Sequence, residues 1–528
     1  MEKELWRRRT LAIISHPDAG KTTLTEKLLL YGGALELAGS VKAKKNQRDT
    51  ASDWMELEKK RGISISSTLL QFDYKDFKFN LLDTPGHKDF SEDTYRVLMA
   101  VDGVIMVIDA AKGIESQTIK LFEICRKRGI PIFTFINKMD RPGKTPLELI
   151  DQIEDVLGIH TFPINWPIDN GDSFKGVYDR LKKEVHLFER ATTGNYRAPV
   201  SVHNLQDESF KNIMAEDVYE AFIEEIDLLE IAHVGFDKEE VLRGELSPVY
   251  FGSAANNFGV ELLLNGFLNY SSTPIARETV DGNIIPLEGP EFSAFIFKIQ
   301  SNMNPMHRDR MVFARVCSGK FEKDIKVYNN RTKREVRLSN VHSVFGRERE
   351  SVTESYPGDI IGFVTNLDFK VGDTISSSQE IVIKKIPRFA PEIFAYISNV
   401  ETSKYKAFRK GIDQLIAENI VQTFEIDGRP RTVPLLGALG TLQFEVLQYR
   451  LRDEYGVETN LEMMPWRMMR WVEEGFTTEY LSEKLSYRGV TGRDEHNKQV
   501  ILFETKWNYD NFSGDNPEVK LSDFLTDF

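Results

Sequence analysis

The first 275 or so residues alternate short apolar runs with longer amphipathic segments. Residues 11–14 form an apolar run that ends in a glycine-containing loop, and Leu24, Leu28 and Tyr31 then share one face of a predicted helix. Further strands are predicted at residues 77–81, 104–108, 132–136 and 248–251. This alternation predicts a mostly parallel sheet with helices on both faces.

The hydrophobic pattern changes after about residue 275. Short β-rich runs at 292–299, 311–316 and 359–364 are separated by turn signals such as Ser318-Gly319 and Pro357-Gly358, which predicts a small antiparallel β-barrel. From residue 394 to residue 464, the order strand, helix, strand, strand, helix, strand predicts a split βαβ fold of the ferredoxin-like kind. We therefore predict an α/β domain at 1–275, a β-barrel domain at 276–385 and a split βαβ α+β domain with a tail at 386–528.

Composition agrees with a folded protein of several domains. A chain of 528 residues with 41% hydrophobic and 28% charged residues is too long for one ordinary core, and this composition excludes wholesale disorder. No run of about 18 apolar residues is present, so we expect no membrane span, and the polar first ten residues do not resemble a signal peptide. The two cysteines, Cys125 and Cys317, exclude a disulfide framework or a cysteine zinc site and favour a reducing cytoplasm.

The net charge of −13 argues against a general polyanion binder, but the charge is unevenly distributed. Residues 201–245 carry 13 acidic and 3 basic side chains and are predicted to form an acidic helical insertion, whereas residues 306–337 carry 10 basic and 4 acidic side chains. Both stretches can be solvated faces, and the alternative is that the basic one contacts nucleic acid. The candidates for such contacts are Arg308, Arg310, Arg315 and Lys320.

The loop after the first strand has the spacing of a phosphate-binding loop. It matches G-x-x-x-x-G-K-[ST], except that Ser15 replaces the first glycine. In such a loop the backbone N–H groups point at phosphate oxygens, Lys21 adds a charge at the β- and γ-phosphates, and the Thr22 hydroxyl binds Mg²⁺. The alternative is a tight strand–helix turn with an exposed lysine. The predicted nucleotide-binding residues of this loop are Ser15, His16, Pro17, Asp18, Ala19, Gly20, Lys21 and Thr22.

Asp83-Thr84-Pro85-Gly86 lies at the end of a predicted strand and is a second phosphate-binding motif. The Asp83 carboxylate can hold Mg²⁺ through water, and the Gly86 N–H can contact the γ-phosphate. His87 follows directly, so its imidazole can orient an attacking water and stabilise the transferring phosphoryl group; a structural histidine is the alternative. Ser64 can give its hydroxyl to Mg²⁺ and its N–H to the γ-phosphate, which predicts a segment that orders with the nucleotide; the start of an ordinary β-strand is the alternative.

Two further motifs predict guanine recognition. In Asn137-Lys138-Met139-Asp140, the Asp140 carboxylate can accept hydrogen bonds from the guanine N1–H and exocyclic amine, a donor pair that adenine does not offer. Asn137 can support the loop and contact guanine N7, while the Lys138 stem covers the ring. Ser253 and Ala254 after the last strand would place a backbone N–H at guanine O6. Each motif alone is also typical of an ordinary turn, but four motifs in this order at strand ends predict a GTP site.

Together these motifs resemble those of the translational GTPases, and the resemblance covers nearly the whole chain. Residues 14–21, 89–96, 174–178 and 307–310 are most similar to the branch of this family that acts in translation termination. Ser64 and Pro17 depart from the family pattern, since threonine and an aliphatic residue are usual at these positions. The motifs that carry the resemblance are His16-x-Asp18-x-Gly20-Lys21-Thr22, Arg61-Gly62-Ile63-Ser64-Ile65, Asp83-Thr84-Pro85-Gly86-His87 and Asn137-Lys138-Met139-Asp140.

The resemblance implies a P-loop GTPase domain and a ribosome-dependent GTPase whose histidine is placed by ribosomal RNA at the GTPase-activating centre. It implies that the protein stimulates release and recycling of codon-reading release factors from the ribosome after peptide release. The expected ligands are GTP or GDP and Mg²⁺. Asp18, within the phosphate loop, could hold a monovalent cation or a bound water. We expect a cytoplasmic monomer that binds no membrane.

Other functions stay open at this point. A translocase-like or ribosome-rescue GTPase would share these domains, but the translocase continues with two more, so the length of this chain disfavours translocation. A GTP-gated ribosome docking module would bind and release without hydrolysis, which His87 argues against. A P-loop metabolic kinase would lack the guanine-reading residues Asn137 and Asp140 and the barrel.

Overall fold

The computed structural model describes residues 1–34, 58, 64–189, 200–205, 216–231, 235–301, 310–345, 348–384, 388–428, 433–473 and 475–525. Within these ranges an α/β domain, a β-barrel and an α+β domain follow one another, as the sequence pattern predicts. No helix in the same ranges has the length and apolar character needed to cross a membrane.

The strands of the first domain are β1 (Arg8–Ser15), β2 (Thr68–Tyr74), β3 (Phe77–Asp83), β4 (Gly103–Asp109), β5 (Ile132–Asn137), β6 (His160–Pro163), β7 (Asn165–Ile168), β8 (Gly176–Asp179), β9 (Glu184–Phe188), β10 (Val200–Asn204) and β11 (Leu246–Phe251). Its helices are α1 (Glu2–Trp6), α2 (Lys21–Tyr31), α3 (Ser91–Ala100), α4 (Ser116–Lys127), α5 (Pro146–Leu157), α6 (Glu216–Ile231), α7 (Lys238–Leu242) and α8 (Val260–Tyr270).

Seven of these strands form the main sheet in the order β2-β3-β1-β4-β5-β11-β6. All neighbouring pairs are parallel except β2 with β3. Every residue of β1, β4 and β5 is buried, as expected for parallel strands that are covered by helices on both faces. The predicted parallel sheet is therefore confirmed.

A second, antiparallel sheet has the order β10-β9-β8-β7 and was not predicted. Helix α6 packs on it: Trp166 Nε1 donates to Glu225 Oε2 at 2.7 Å, and the rings of Tyr178 and Phe222 meet edge to face. The stretch predicted as an acidic helical insertion at 201–245 thus begins in β10 and is helical in α6 and α7. Residues 206–215 and 232–234 lie outside the described residues.

The second domain contains β12 (Ser293–Ser301), β13 (Arg310–Ser318), β14 (Phe321–Glu322), β15 (Lys326–Asn329), β16 (Arg334–Arg337), β17 (Val341–Phe345), β18 (Glu348–Ser351), β19 (Glu354–Ser355), β20 (Ile360–Val364) and β21 (Thr374–Ser376). Eight of them form one sheet in the order β16-β15-β21-β12-β13-β20-β17-β18, and every described pair is antiparallel. Ile296, Val312 and Phe363 lie in its buried core, so the predicted β-barrel is confirmed.

The third domain contains the strands β22 (Arg388–Phe389), β23 (Ile393–Asn399), β24 (Gln422–Ile426), β25 (Leu435–Ala438), β26 (Thr459–Met463), β27 (Met468–Val472), β28 (Gly489–Asp494), β29 (Gln499–Phe503), β30 (Leu521–Ser522) and β31 (Phe524–Leu525). Its helices are α9 (Tyr405–Ala417), α10 (Thr441–Tyr455), α11 (Thr478–Leu485) and α12 (Lys506–Asp515).

Strands β26-β23-β25-β24 with α9 and α10 form the split βαβ unit that the order of elements predicts. The residues after it, predicted as a tail, are folded instead. Strands β28, β29, β27 and β30 continue the same sheet beyond β24. Leu481 of α11 and Phe512 of α12 pack against Ile501 and Phe503 of β29, so this extension has a small apolar core of its own.

One residue of the predicted nucleic-acid-binding stretch, Arg315, is buried between the first domain and the barrel. Its Nη2 donates to both carboxylate oxygens of Asp102, at 2.9 and 2.7 Å, and only about 1% of its surface is exposed. The prediction that Arg315 faces RNA is therefore wrong. Arg310 donates to the backbone carbonyls of Leu367 and Phe369, Lys320 pairs with two glutamates, and Arg308 lies outside the described residues.

Candidate functional site

The four predicted nucleotide motifs lie at the carboxyl ends of β1, β3, β5 and β11. The strand register places these ends side by side: Ile13 is opposite Asp83, Asp109 at the end of β4 is opposite Asn137, and Ile136 is opposite Phe251. Loops at the carboxyl ends of parallel strands open on one edge of a sheet, which is where ligands bind in this class of fold. The fold therefore brings the motifs to one site.

The loop between β1 and α2 has the geometry of a phosphate-binding loop. Asp18 and Gly20 have positive φ values of 65° and 96°. A Cβ atom on Gly20 would lie 2.3 Å from Asn137 Nδ2, so both the backbone conformation and the space require glycine. Lys21 is buried with its Nζ 3.1 Å from Asp83 Oδ1, which does not agree with a simple turn that exposes its lysine.

An open cleft of about 410 Å³ lies in front of this loop. Residues of the phosphate loop line it together with Ser64, Gly86 and His87. The lining residues are Ser15, His16, Pro17, Asp18, Gly20, Lys21, Thr22, Thr23, Ser64, Gly86, His87, Lys138 and Arg141. Residues that are predicted to bind phosphate, to bind metal and to position water thus share one space.

Asn137 connects three loops of the site. Its Nδ2 donates to the Ala19 carbonyl at 2.8 Å, and its Oδ1 accepts the Ala254 N–H at 2.8 Å. The Ser253 N–H donates to the Phe258 carbonyl at 3.0 Å. Both backbone N–H groups predicted to meet guanine O6 thus already donate within the protein. A guanine O6 placed here would share one of them with Asn137 Oδ1 or with the Phe258 carbonyl.

Lys138 is held in place by a carboxylate that sequence reasoning missed. Lys138 Nζ donates to Asp109 Oδ2 at 2.7 Å and to the Asp18 carbonyl at 2.5 Å. Burial raises the pKa of Asp109, but the hydrogen bonds from Lys138 and from backbone N–H groups outweigh burial and lower it overall. The charged Asp109 thereby holds the Lys138 side chain against the phosphate loop. The available signal for Asp109 was its position at the end of β4, opposite Asn137.

Asp140 has one buried carboxylate oxygen, Oδ1, that accepts no hydrogen bond from the described part of the chain. Buried polar atoms are normally paired, so such an acceptor suits the donors of a ligand. Met139 differs from its neighbours, because its side chain lies in the apolar core and only its backbone, whose N–H donates to the Gly252 carbonyl, supports the site.

His16, the second residue of the loop, has a buried ring whose Nδ1 lies 3.1 Å from Glu115 Oε2. Burial lowers the pKa of His16 by more than the Glu115 carboxylate raises it. The imidazole is therefore neutral near pH 7. Glu115 precedes α4 and belongs to no recognisable motif, so sequence reasoning did not find it.

The loop from Asp83 to His87 is tied to β1 and to α3. Thr84 Oγ1 donates to the Ile13 carbonyl at 2.7 Å, and Thr94 Oγ1 donates to the Pro85 carbonyl at 3.2 Å. His87 is partly exposed at the cleft, and its Nδ1 accepts the Asp89 N–H at 3.3 Å. Its Nδ1 side is thus held by the protein.

Thr22, Ser64 and Asp83 are the predicted Mg²⁺ ligands, and the donor set fits this ion. The Thr22 and Ser64 residues line the cleft, while the Asp83 carboxylate is buried beside Lys21. Mg²⁺ prefers oxygen ligands and keeps several waters, so two hydroxyls and one nearby carboxylate suffice when phosphates supply the rest. Residues 61–63 of the same segment lie outside the described residues.

Comparison with known proteins gives matches along the whole chain. The family model described as the Elongation factor Tu GTP binding domain matches residues 7–273, and Elongation factor G domain 2 matches residues 291–378. The model described as Class II release factor RF3, C-terminal domain, matches residues 383–513.

Full-length relatives are also similar. Peptide chain release factor 3 of Gloeobacter violaceus is 53% identical over 518 residues, which are 98% of this chain and 97% of the relative. The protein of the same name from Synechocystis sp. is 52% identical over 98% of this chain and 95% of the relative. A crystal structure of ttk003000868 from Thermus thermophilus superposes with a TM-score of 0.69 and 21% identity, covering 89% of this chain and 71% of that one, which shows a shared fold.

Proposed function

Because the chain belongs to the peptide chain release factor 3 family of translational GTPases, we propose that it is a ribosome-activated GTPase of translation termination. In this proposal it acts in the cytoplasm as a monomer and speeds the departure of codon-reading release factors after the peptide has been released. The observation that carries the proposal is that residues of three nucleotide motifs line one cleft with Ser64 and His87, while Asn137 ties the fourth motif to it through Ala254, in a chain that matches the family over 98% of its length.

Base selection falls to the loop after β5. The Asp140 carboxylate accepts hydrogen bonds from guanine N1–H and the exocyclic amine, and its buried Oδ1 is available for this. Asn137 holds the Ala19 and Ala254 segments at the correct separation, while the Lys138 stem covers the base. Adenine is excluded, because its N1 is an acceptor and would face the acceptor oxygens of the Asp140 carboxylate.

The phosphate groups are bound by the β1–α2 loop. Backbone N–H groups at the start of α2 and the Lys21 ammonium group neutralise the phosphate oxygens. Thr22 and Ser64 would hold Mg²⁺ directly and Asp83 would hold it through water. When bound, Mg²⁺ neutralises charge that develops between the β- and γ-phosphates. Asp18 lines the same cleft and would be the residue that holds a monovalent cation.

Hydrolysis depends on His87, which lines the same cleft as Gly86 and Ser64. Because Nδ1 is held by Asp89, Nε2 is the ring nitrogen that can turn toward the water. The ring then orients the water for in-line attack, and the ribosome supplies the final placement. Ser64 and Gly86 contact the γ-phosphate in this proposal. The segment that contains Ser64 also contacts the barrel, because Lys298 of β12 donates to the Ser66 hydroxyl at 2.7 Å, so an ordered Ser64 would affect the position of the barrel.

The decisive experiment measures the dissociation rate of a labelled codon-reading release factor from ribosomes that have already released their peptide. We expect the rate to rise when this protein and GTP are added together. GDP in place of GTP, and the His87→Ala variant with GTP, are the controls that separate binding from hydrolysis. An unchanged rate, or peptide release by this protein alone, would contradict the proposal.

A further inference from the structure

Asp89, two residues after His87, contacts both the histidine ring and the C-terminal domain. Its backbone N–H donates to His87 Nδ1 at 3.3 Å, and its Oδ1 lies 3.3 Å from the same nitrogen. Its other carboxylate oxygen, Oδ2, accepts the backbone N–H of Leu442 at 2.9 Å. The residue is buried, with about 3% of its surface exposed. One residue therefore joins the candidate catalytic group to a different domain.

The contact at Leu442 has the geometry of a helix cap. Helix α10 begins at Thr441, and its N-cap residue is Gly440, which has no side chain to satisfy the first N–H groups. An N-cap side chain normally accepts the N–H of the second or third helical residue, and Leu442 is the second. Asp89 supplies this oxygen from the first domain, and its negative charge also suits the positive end of the helix.

Apolar packing holds the two domains together beside this cap. Ile65, Phe90 and Val446 form a small buried cluster, against which Leu442 packs. Phe90 follows Asp89 and meets the His87 ring edge to face, with ring centroids 6.4 Å apart. The residues around His87 and the start of α10 therefore form one packed unit rather than two surfaces that only touch.

We propose that Asp89 is a positioning residue that couples the orientation of His87 to the docking of the C-terminal domain. With α10 docked, the Asp89 carboxylate is fixed by Leu442, and the Asp89 N–H is held in place to donate to His87 Nδ1. When α10 moves away, Asp89 loses its fixed partner and the ring is no longer held in one orientation. This inference rests on the proposed function, because it requires that His87 position the attacking water.

The chain offers a matched pair of glycine variants for a test. Gly440 has extended backbone, with φ of −161°, so alanine fits there without backbone strain. A Cβ at Gly440 would lie 2.0 to 2.2 Å from the Asp89 carboxylate atoms, so Gly440→Ala must push the cap apart. A Cβ at Gly514 in α12 would meet no atom within 4 Å, which makes Gly514→Ala the control.

The experiment measures GTP affinity and the kcat and KM of ribosome-stimulated hydrolysis for Asp89→Ala, Asp89→Asn, Gly440→Ala, Gly514→Ala and the Asp89→Ala, Gly440→Ala double variant. We expect Asp89→Ala and Gly440→Ala to lower kcat about tenfold with nearly unchanged KM and GTP affinity, because only orientation is lost. Asp89→Asn should stay within about threefold of the wild type, since an amide oxygen still caps the helix.

The double variant identifies the shared contact. Since both changes break the same contact, the double variant should be no slower than the slower single variant. Wild-type kcat in both single variants, or losses that multiply in the double variant, would overturn the inference. Circular dichroism and GTP affinity show whether each variant is folded.

A His87→Ala arm separates this inference from the function on which it rests. If His87→Ala keeps its stimulated turnover, the catalytic role of His87 fails, and the inference fails with it. If His87→Ala loses stimulated turnover while Asp89→Ala and Gly440→Ala keep it, the proposed function stands and only the coupling through Asp89 is wrong.

Discussion

Asn137 Oδ1 accepts the backbone N–H of Ala254 at 2.8 Å, and this bond ties the loop after β5 to the loop after β11. The amide nitrogen of the same side chain donates to the Ala19 carbonyl in the phosphate loop at 2.8 Å. Asn137 thus holds the predicted base-binding loops against the phosphate loop, to which Lys138 adds a second link through the Asp18 carbonyl. We expect Asn137 to act on a bound nucleotide mainly by holding these loops in place.

We predict that Asn137→Ala weakens GTP binding by at least tenfold. The substitution leaves the Ala19 carbonyl and the Ala254 N–H buried without these partners, and each unpaired group costs about 1–3 kcal/mol. Titration with a fluorescent guanine nucleotide measures the affinity. Asn283→Ala is the control, because Asn283 is exposed. An unchanged GTP affinity in Asn137→Ala would show that the loops are held by other contacts.

We predict that Asp140→Asn shifts the nucleotide preference from guanine to xanthine. Asparagine offers an amide donor where the carboxylate can only accept, and xanthine has a carbonyl in place of the guanine amine. Competition between GTP and XTP measures the shift, with Asp151→Asn on the exposed face of α5 as the control. Wild-type preference in Asp140→Asn would exclude Asp140 from base recognition.

The sequence predicted the parts of the site whose function depends on neighbours along the chain. Gly20 and Lys21 could be recognised because the loop, the strand before it and the helix after it are contiguous. Asp109 and Glu115 were missed, because a single carboxylate at a strand end has no motif until the fold brings it to Lys138 or His16.

The same limit explains the errors in the charge pattern and in the tail. Counting basic residues in 306–337 could not show that Arg315 meets Asp102, which lies 213 positions away. The extension formed by β27 to β30 was missed because it has strands of two to six residues that are stable only as additions to an existing sheet.

We predict that His87→Ala retains GTP affinity within a few-fold but lowers ribosome-stimulated hydrolysis by about 10²–10⁴, the effect of one well-positioned catalytic group. Nucleotide binding depends instead on Lys21 and the backbone of the phosphate loop. Single-turnover hydrolysis with purified ribosomes gives the rate, and His160→Ala at the exposed start of β6 is the control. Near-normal turnover in His87→Ala would leave the histidine with a structural role.

We predict that Arg315→Met destabilises the contact between the first domain and the barrel without a direct loss of RNA binding. Removing one partner of a buried ion pair leaves the other charge poorly compensated, which costs about 3–5 kcal/mol. Among the described residues, the Asp102 carboxylate would still accept the Ile275 N–H at 3.0 Å, and Arg277 Nη2 lies 3.5 Å from Oδ1.

Urea unfolding monitored by circular dichroism tests the stability, and ribosome binding at several salt concentrations tests the RNA contact. If Arg315 contacts phosphate, its removal reduces the salt dependence of ribosome binding. If Arg315 forms only a structural ion pair, its removal leaves the salt dependence unchanged. Arg334→Met on the exposed strand β16 controls for the loss of one positive charge. If Arg315→Met has wild-type stability and a reduced salt dependence of ribosome binding, Arg315 contacts RNA after all and the prediction is wrong.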